Sequence, residues 1–528
     1  MRRITTTLIL TVLMLIPGAC DRQQAESPKA LVTSILVNGK AVSLSGTVND
    51  VPLRGGLVIA LTFTHEADIS KAGGYSFSGG NLVPSYGADR TTVELRPDKE
   101  PEYFKRYTFS LSAGEYFGVN ILKDVQFTMT TEYDPSDKFP RISDDELLTL
   151  VQKQTFDYFW SYGHPDSGLA RERLGSDNTV TTGGSGFGVM TLPVAVERGF
   201  VSRSEAAQRL RKIVDFLGTK ADRFHGAFPH WLNGTTGRVV PFSSNDNGGD
   251  LVETAFMIQG LLAAAQYFSE PGEADIRNGI DAIWRAVEWD WYTRGQDVLY
   301  WHWSPDKEWA MNMQVKGWNE GLIVYVLAAS SPTHPVRAEV YHQGWASGGG
   351  MTLSNNSPMF FAHYSFMGLD PRGLKDSYAD YWEHNTAHAL RNYSYCVTNS
   401  KKHAGYSADS WGLTASDYPG GYTASSPSND RGAIAPTAAL ASYPYVPEES
   451  LRALRQFYYV YGDRLWGKYG FYDAFCLDSR WFASSYIAID QGPIIVMIEN
   501  GRSGLLWRCF MKNPDILAGL AKLGFTRQ

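Results

Sequence analysis

The chain has 528 residues, room for one large helical domain with a smaller companion. A formal net charge of -7 and a pI near 5.9 leave no basic footprint for nucleic acid. Aromatics make up 13%, with 15 Trp and 29 Tyr, more than a core requires and suited to a surface that stacks on sugar faces.

The first residues read as a targeting segment: Arg2-Arg3, an apolar run over 8–16, then Pro17-Gly-Ala-Cys20. The run is too short for a membrane span. A small-residue pair directly before Cys20 resembles the lipobox of bacterial lipoproteins, although Pro17 stands where that pattern usually has Leu. It implies lipidation of Cys20, anchoring to a membrane, and a periplasmic or outer-membrane location. Residues 21–30 follow as a polar tether. Beyond Cys20 only Cys396, Cys476 and Cys509 remain, without CxxC or ligand-spaced His, so at most one disulfide forms and no structural zinc is expected.

From 31 to 133 the pattern is one of short runs rich in β-branched and aromatic residues, at 31–37, 57–63, 91–95, 107–111 and 125–131. Asn38-Gly39, Gly73-Gly74 and Gly79-Gly80 punctuate them. This predicts an antiparallel immunoglobulin-like sandwich serving as an accessory module, since no carboxylate or His cluster falls in it. Asp134-Pro-Ser-Asp-Lys-Phe-Pro140 reads as a linker over 134–140.

Helical periodicity fills 141–528. Ser143-Asp-Asp-Glu146 is a capping signature for a helix reaching about 162. A layout then recurs: a long Gly- and aromatic-rich loop, an apolar helix, a short turn and an amphipathic helix. The apolar helices are predicted near 187–198, 250–268, 318–329, 358–367, 433–442 and 490–500. Their amphipathic partners fall near 203–217, 273–288, 335–343, 376–397, 448–462 and 513–523. Six such pairs make a mainly α, (α/α)6 toroid, in which every long loop falls on one face and contributes to one site.

The second loop ends in Asn245-Asp-Asn-Gly-Gly-Asp250 and runs straight into an apolar helix. Asp246, Asp250 and Glu253 place three carboxylates within eight positions. Asp250 as N-cap with Glu253 at N3 would make a capping box, which leaves Asp246 and the Gly-Gly unexplained. The alternative is a carboxylate-lined site. The Asn-Asp-Asn spacing has the look of a calcium loop but lacks its bidentate Glu, so no metal and no cofactor is expected. Thr181-Thr-Gly-Gly-Ser-Gly-Phe-Gly188 lacks the Lys-Ser/Thr of a phosphate loop. Candidate substrate-binding residues on the loops are His230, Trp231, Trp301, Trp303, Trp318, Asn319, Phe361, His363, Trp411, Asn429, Arg431, Trp481 and Asp490. Each alone has a plainer reading: Asn319 and Asp490 as caps, Arg431 as partner of Asp430, His363 as a half-buried ring. Clustered on one face with aromatic flanks, they point to a carbohydrate site.

Several longer blocks carry a family resemblance. They are the stretch from Asn245 to Phe256, Gly317-Trp-Asn-Glu320, Ser330-Ser-Pro-Thr-His-Pro335, Ile434-Ala-Pro-Thr-Ala-Ala439, the stretch from Leu465 to Phe475, and Ile489-Asp-Gln-Gly-Pro-Ile-Ile495. In this order, over roughly 140–528, they resemble the bacterial glycoamylase-like domain, a family that includes the endo-β-1,2-glucanases of glycoside hydrolase family 144. The resemblance implies an (α/α)6 barrel and an inverting hydrolase acting on β-1,2-glucan, endo or exo. It matches the family's acidic cluster to Asp246, Asp250 and Glu253, and its next acidic position to Glu320. Glu253 or Glu320 is then the expected acid, with Asp246 or Asp250 positioning water or acting as base. The competing expectations are a different toroid chemistry (lyase or epimerase) and an inert glycan-binding lipoprotein.

Overall fold

The computed structural model describes residues 26–346 and 356–527. Cys20 and the export segment lie outside the described residues. The chain divides into two compact units, with the boundary in sequence between Glu132 and Tyr133.

In the first unit, strands alternate inward and outward residues, as in Ile59–Phe63, where Ile59, Leu61 and Phe63 are buried. Five strands pair antiparallel in the order Lys40–Ala41, Val32–Val37, Ile59–Phe63, Thr92–Pro97, Leu82–Tyr86. A second sheet has the order Thr47–Val51, Val125–Thr131, Arg106–Leu111, Tyr75–Phe77, with Phe127 opposite Phe109. Inward residues of both sheets, among them Leu61, Leu95, Phe109 and Phe127, form one hydrophobic core. Thr47–Val51 escapes a period-two reading for a physical reason. Its register shifts opposite Met129 and Thr131, Asp50 takes a φ of 56°, and the buried residues Val48 and Val51 end up three apart.

The second unit is helical. In chain order its helices are α1 (Asp144–Trp160), α2 (Thr182–Glu197), α3 (Arg203–Thr219), α4 (Leu251–Tyr267), α5 (Ala274–Arg285), α6 (Leu322–Ser330) and the single turn α7 (Ala338–Val340). They continue as α8 (Tyr381–Thr398), α9 (Pro436–Leu440), α10 (Pro447–Arg455), α11 (Gly462–Leu465), α12 (Ala488–Ser503), α13 (Leu505–Phe510) and α14 (Pro514–Lys522). The predicted capping box of α1 is present between Ser143 and Glu146. Helices α2, α4, α6 and α12 are buried along most of their length. By contrast α3 buries one stripe, including Ala206, Leu210, Ile213 and Leu217, at helical spacing. No described helix is long and apolar enough to cross a membrane. Cys396, Cys476 and Cys509 are buried free thiols.

The Gly-rich run 181–188 is helix, not loop: α2 begins at Thr182, five residues before the predicted start. Glycine's poor helix propensity hides this, and close packing explains it. Helix α2 packs against α4 and α12, and a Cβ on Gly186 would lie 2.4 Å from the carbonyl oxygen of Phe256, while one on Gly260 would lie 2.1 Å from that of Gly186. Gly186→Ala must therefore push two backbones apart. It should destabilise the fold by roughly 1–3 kcal/mol or more, read as a lower midpoint in chemical denaturation.

The helix predicted at 358–367 is a 3₁₀ turn over Met359–Ala362 followed by further turns. Its backbone bonds partly within the turns and partly to neighbouring elements. The Gln259 amide donates to Tyr364 O and accepts from Gly368 N, and Ser365 Oγ accepts the Ile323 N–H. The partner predicted at 335–343 is α7 followed by a π-helical turn, Tyr341–Ala346.

Candidate active site

Two short strand pairings set the site. Thr179–Thr181 pairs with Trp231–Asn233 and leads directly into α2, while Gly249–Asp250 pairs with His302–Trp303 and leads directly into α4. The Gly-Gly before Asp250 has a steric cause. A Cβ on Gly248 would fall 2.3 Å from Trp303 O, and one on Gly249 2.2 Å from the Tyr292 hydroxyl. The two helix N-termini emerge close together, and Glu253 Oε2 accepts the N–H of Gly183 at 2.7 Å.

That bond decides between the two readings of the acidic mouth. Asp250 does cap α4, its Oδ1 accepting from Val252 N (3.0 Å) and Glu253 N (2.9 Å). Glu253, however, reaches to α2 and does not close a capping box. The second oxygen of Asp250 accepts from Trp301 Nε1 and lies 3.1 Å from His230 Nδ1. Fully buried, Asp250 thus has both oxygens occupied by donors and little left to offer a water.

His230 is the centre of the cluster. Its Nδ1 lies 3.6 Å from Asp246, its Nε2 lies 4.0 Å from Glu253, and the ring stacks on Phe242 at 4.1 Å. Burial alone would lower its pKa. The charge of Glu253 and the hydrogen bonds to Asp246 and Asp250 outweigh burial and hold it well above the ordinary value, as an imidazolium. His302 behaves oppositely: burial lowers it, and its Nε2 accepts the N–H groups of Asn247 and Gly248. Distance alone would let His230, Asp246 and Asp250 ligate one cation, their donor atoms lying within 4.8 Å of one another. The protonated His230 already places a positive charge there.

Glu253 and Glu320 line a cavity of about 460 Å³ together with His230, Trp231, Phe242 and Trp301. Burial pushes Glu253 up to about 7, opposed by His230 and reinforced by Asp250. Burial also pushes Glu320 to about 7, with the charges of Glu253 and Asp250 adding to it. Among described residues Glu253 faces the imidazolium, whereas Glu320 makes no salt bridge. Two carboxyls in one cavity, both poised near neutrality and differently solvated, can hold one proton and one charge.

Another stretch of the cavity wall, with the residues behind it, carries groups that, Asp490 apart, the sequence reading does not single out. Arg173 donates to Glu172 and to Asp417, and Tyr422 comes from a hairpin joining Ala415–Tyr418 to Gly421–Ala424. Behind Tyr364, a cavity residue, its hydroxyl donates to Asp490 at 3.4 Å. Burial pushes both Asp490 and Asp473 up, Asp473 to about 7; the charge of Asp417 adds to both, and a hydrogen bond between the two carboxyls raises Asp490 while it lowers Asp473. Only the Gly420-Gly421 turn signal and the charged Glu172-Arg173 pair in a long loop could have flagged this wall.

Of the predicted residues, His230, Trp231, Trp301, Glu253 and Glu320 line the cavity, with Asp246, Asp250 and Asp490 buried outside its lining. The others do not line it. His363 is a buried ring held by Ser442 at 3.0 Å and lowered to about 3 by burial. Trp411 is fully buried and donates to Glu449 O. Trp318 packs on His384 and Phe361, Asn319 caps the turn at Gly321, and Asn429 pins Thr423. Arg431 is exposed near Tyr418, and Trp481 sits half-buried in a hairpin with Cys476. Trp303 stands with His225 and Trp291.

A family model described as "Putative glucoamylase" matches residues 312–514. A curated exo-β-1,2-glucooligosaccharide sophorohydrolase (non-reducing end) of Parabacteroides distasonis is 43% identical over 460 residues, 80% of this chain and 63% of its own. The chain thus spans less than two thirds of that relative. The crystal structure of a glucoamylase-described protein of Bacteroides uniformis is 56% identical over 74% of this chain and 99% of its own, TM-score 0.72. An endo-β-1,2-glucanase of Chitinophaga pinensis, in complex with sophorotriose and glucose, is 52% identical over 73% and 99%, TM-score 0.71.

Proposed function

The chain belongs to the bacterial glycoamylase-like family, and from that premise we propose that it hydrolyses β-1,2-glucan by inverting acid/base catalysis. The names of its relatives, one an endo-glucanase and one an exo-acting sophorohydrolase, support the linkage and leave both modes of attack to be assayed. The observation that carries the chemistry is the unequal treatment of two carboxyls in one cavity. Inversion needs one protonated carboxyl for the leaving oxygen and one carboxylate to activate water on the opposite ring face. Glu320, half-buried in the cavity wall and without a salt bridge, is suited to donate the proton. Glu253, beside the His230 imidazolium and the Gly183 N–H, is the one more readily ionised, and takes the proton from water directly or through a substrate hydroxyl. Asp250 and Asp246 keep His230 charged and in place. Trp231 and Trp301 offer ring faces to the glucan.

The same reading takes the alternation of buried and one-sided helices as an (α/α)6 toroid, and the two-sheet unit as an immunoglobulin-like sandwich. Export and lipid anchoring at Cys20 complete it. Incubation with β-1,2-glucan, followed by proton NMR before mutarotation, is expected to show the α reducing end first. A β product appearing first would exclude inversion. An unsaturated, ultraviolet-absorbing product would replace hydrolysis by a lyase reaction, and no product at all would leave a binding protein.

A further inference from the structure

A second aromatic surface lies on the flank of the helical unit, outside the cavity described above. Trp291 is 40% exposed, an unusual position for an indole that supports no core. It is nevertheless held rigidly. His225 stacks on it at 3.7 Å with the planes 13° apart, and Trp303 meets it edge-on at 6.0 Å. His225 itself adopts a φ of 49°, a left-handed conformation costly for a residue with a Cβ, and its Nδ1 is fixed by Glu288 at 2.8 Å. Trp291 and Trp309 line a basin of about 580 Å³ with Glu288, Asp290, Arg294 and His334 on its walls. The carboxylates of Glu288 and Asp290 remain 39% and 57% exposed, so each keeps acceptor capacity toward solvent.

We propose that this basin is an outlying binding site for the same neutral glucan chain whose cleavage is assigned to the cavity, a reading that rests on the function proposed above. Three features favour a polyol over a charged or purely apolar partner. With His225 covering one side of the Trp291 indole and Trp309 flanking it at 6.3 Å, the ring surface left exposed is preorganised and suits the C–H face of a pyranose. Carboxylates and a guanidinium around it suit hydroxyls as acceptors and donors. Acidic and basic groups are mixed, which gives no single-sign field for an ionic ligand. Two chain segments link the basin's aromatic residues to the cavity lining. Trp303 pairs with Gly249, the neighbour of Asp250, and lies two residues from the cavity residue Trp301, at most ~7 Å along an extended chain. His225 likewise precedes the cavity residue His230 by five positions in the other segment. In the proposed path, a glucan leaving the cavity past Trp301 runs over Trp303, whose ring lies 6.0 Å from that of Trp291.

The test separates chain length from chemistry. For Trp291→Ala, KM on long β-1,2-glucan should rise about five- to tenfold with kcat held within about twofold, while both constants on a tetra- or pentasaccharide stay at the parent's values. Trp291→Tyr, which keeps a ring, should restore most of the affinity. Native gels cast with β-1,2-glucan and run in the turnover-poor Glu320→Gln background report binding with little cleavage, and there Trp291→Ala should reduce the retardation to what the cavity alone supports. Equal retardation of parent and variant, or a kcat loss on both substrates, would overturn the outlying site. If the parent turned over no glucan yet was retarded in a Trp291-dependent way, the hydrolase reading would fall and this site would stand.

Discussion

Glu320→Gln is expected to lower turnover on β-1,2-glucan by roughly 10²–10⁴ or more while leaving the fold intact, because glutamine fills the same space and cannot donate a proton. Its stability should carry a pH signature that a purely structural residue lacks. In the fold Glu320 titrates near 7, against an ordinary value of 4.5. The raised value means that the folded state keeps the proton over that window. The stability it contributes is therefore fully present below about 4.5 and lost as pH rises through 7. Glutamine never ionises, so the variant should match the parent near pH 4.5 and exceed it at pH 8, by roughly 1–3 kcal/mol. Melting curves of both proteins across that range, beside the activity assay, read the two effects separately. Near-normal turnover would remove Glu320 from the acid role. A variant less stable than the parent at every pH would make it a packing residue.

How far the sequence reaches is set by what each signal encodes. Period-two alternation finds the strands at 31–37, 57–63 and 125–131, because one face of each is buried against a common core. It passes over Thr47–Val51, where a bulge breaks the period. All-round apolarity finds α4 and α12, but glycine required for helix contact disguises the first turns of α2. A run of turns braced by Gln259 carries the apolar composition of a helix without its continuous ladder of backbone bonds. At the site, the acidic spacing singles out Glu253 and the family resemblance Glu320, and both line one cavity with His230 and Trp301. Local composition cannot say which aromatic faces inward. Trp411 and His363 look like site residues in a loop and are core residues in space, since burial is decided by contacts distant in sequence. The Asp473 and Asp490 pair is invisible for the same reason: seventeen positions apart, they are brought face to face only by the fold.

The acidic mouth gives the second large effect, and there capping and chemistry part company between two residues three positions apart. Glu253→Gln should leave the cap of α4 untouched, because Asp250 supplies it and the Glu253 side chain does not reach back to the Asp250 N–H. A glutamine oxygen can still accept from Gly183, so the melting temperature should stay close to the parent's. Turnover should nevertheless fall by roughly 10²–10⁴, since the amide cannot take a proton from water. Asp250→Ala should do both kinds of damage. It removes two backbone hydrogen bonds at the helix start, strips a partner from Trp301 Nε1, and leaves the His230 imidazolium short of its nearest carboxylate. Loss of a cap together with a buried ionic partner costs roughly 3–5 kcal/mol. Turnover should fall with it, because Glu253 would lose the oriented cation that helps to ionise it. Denaturation midpoints and turnover on the two variants separate the roles. Full activity in Glu253→Gln would return that residue to a structural part, and an Asp250→Ala protein as stable and as active as the parent would remove His230 and its carboxylates from the site altogether.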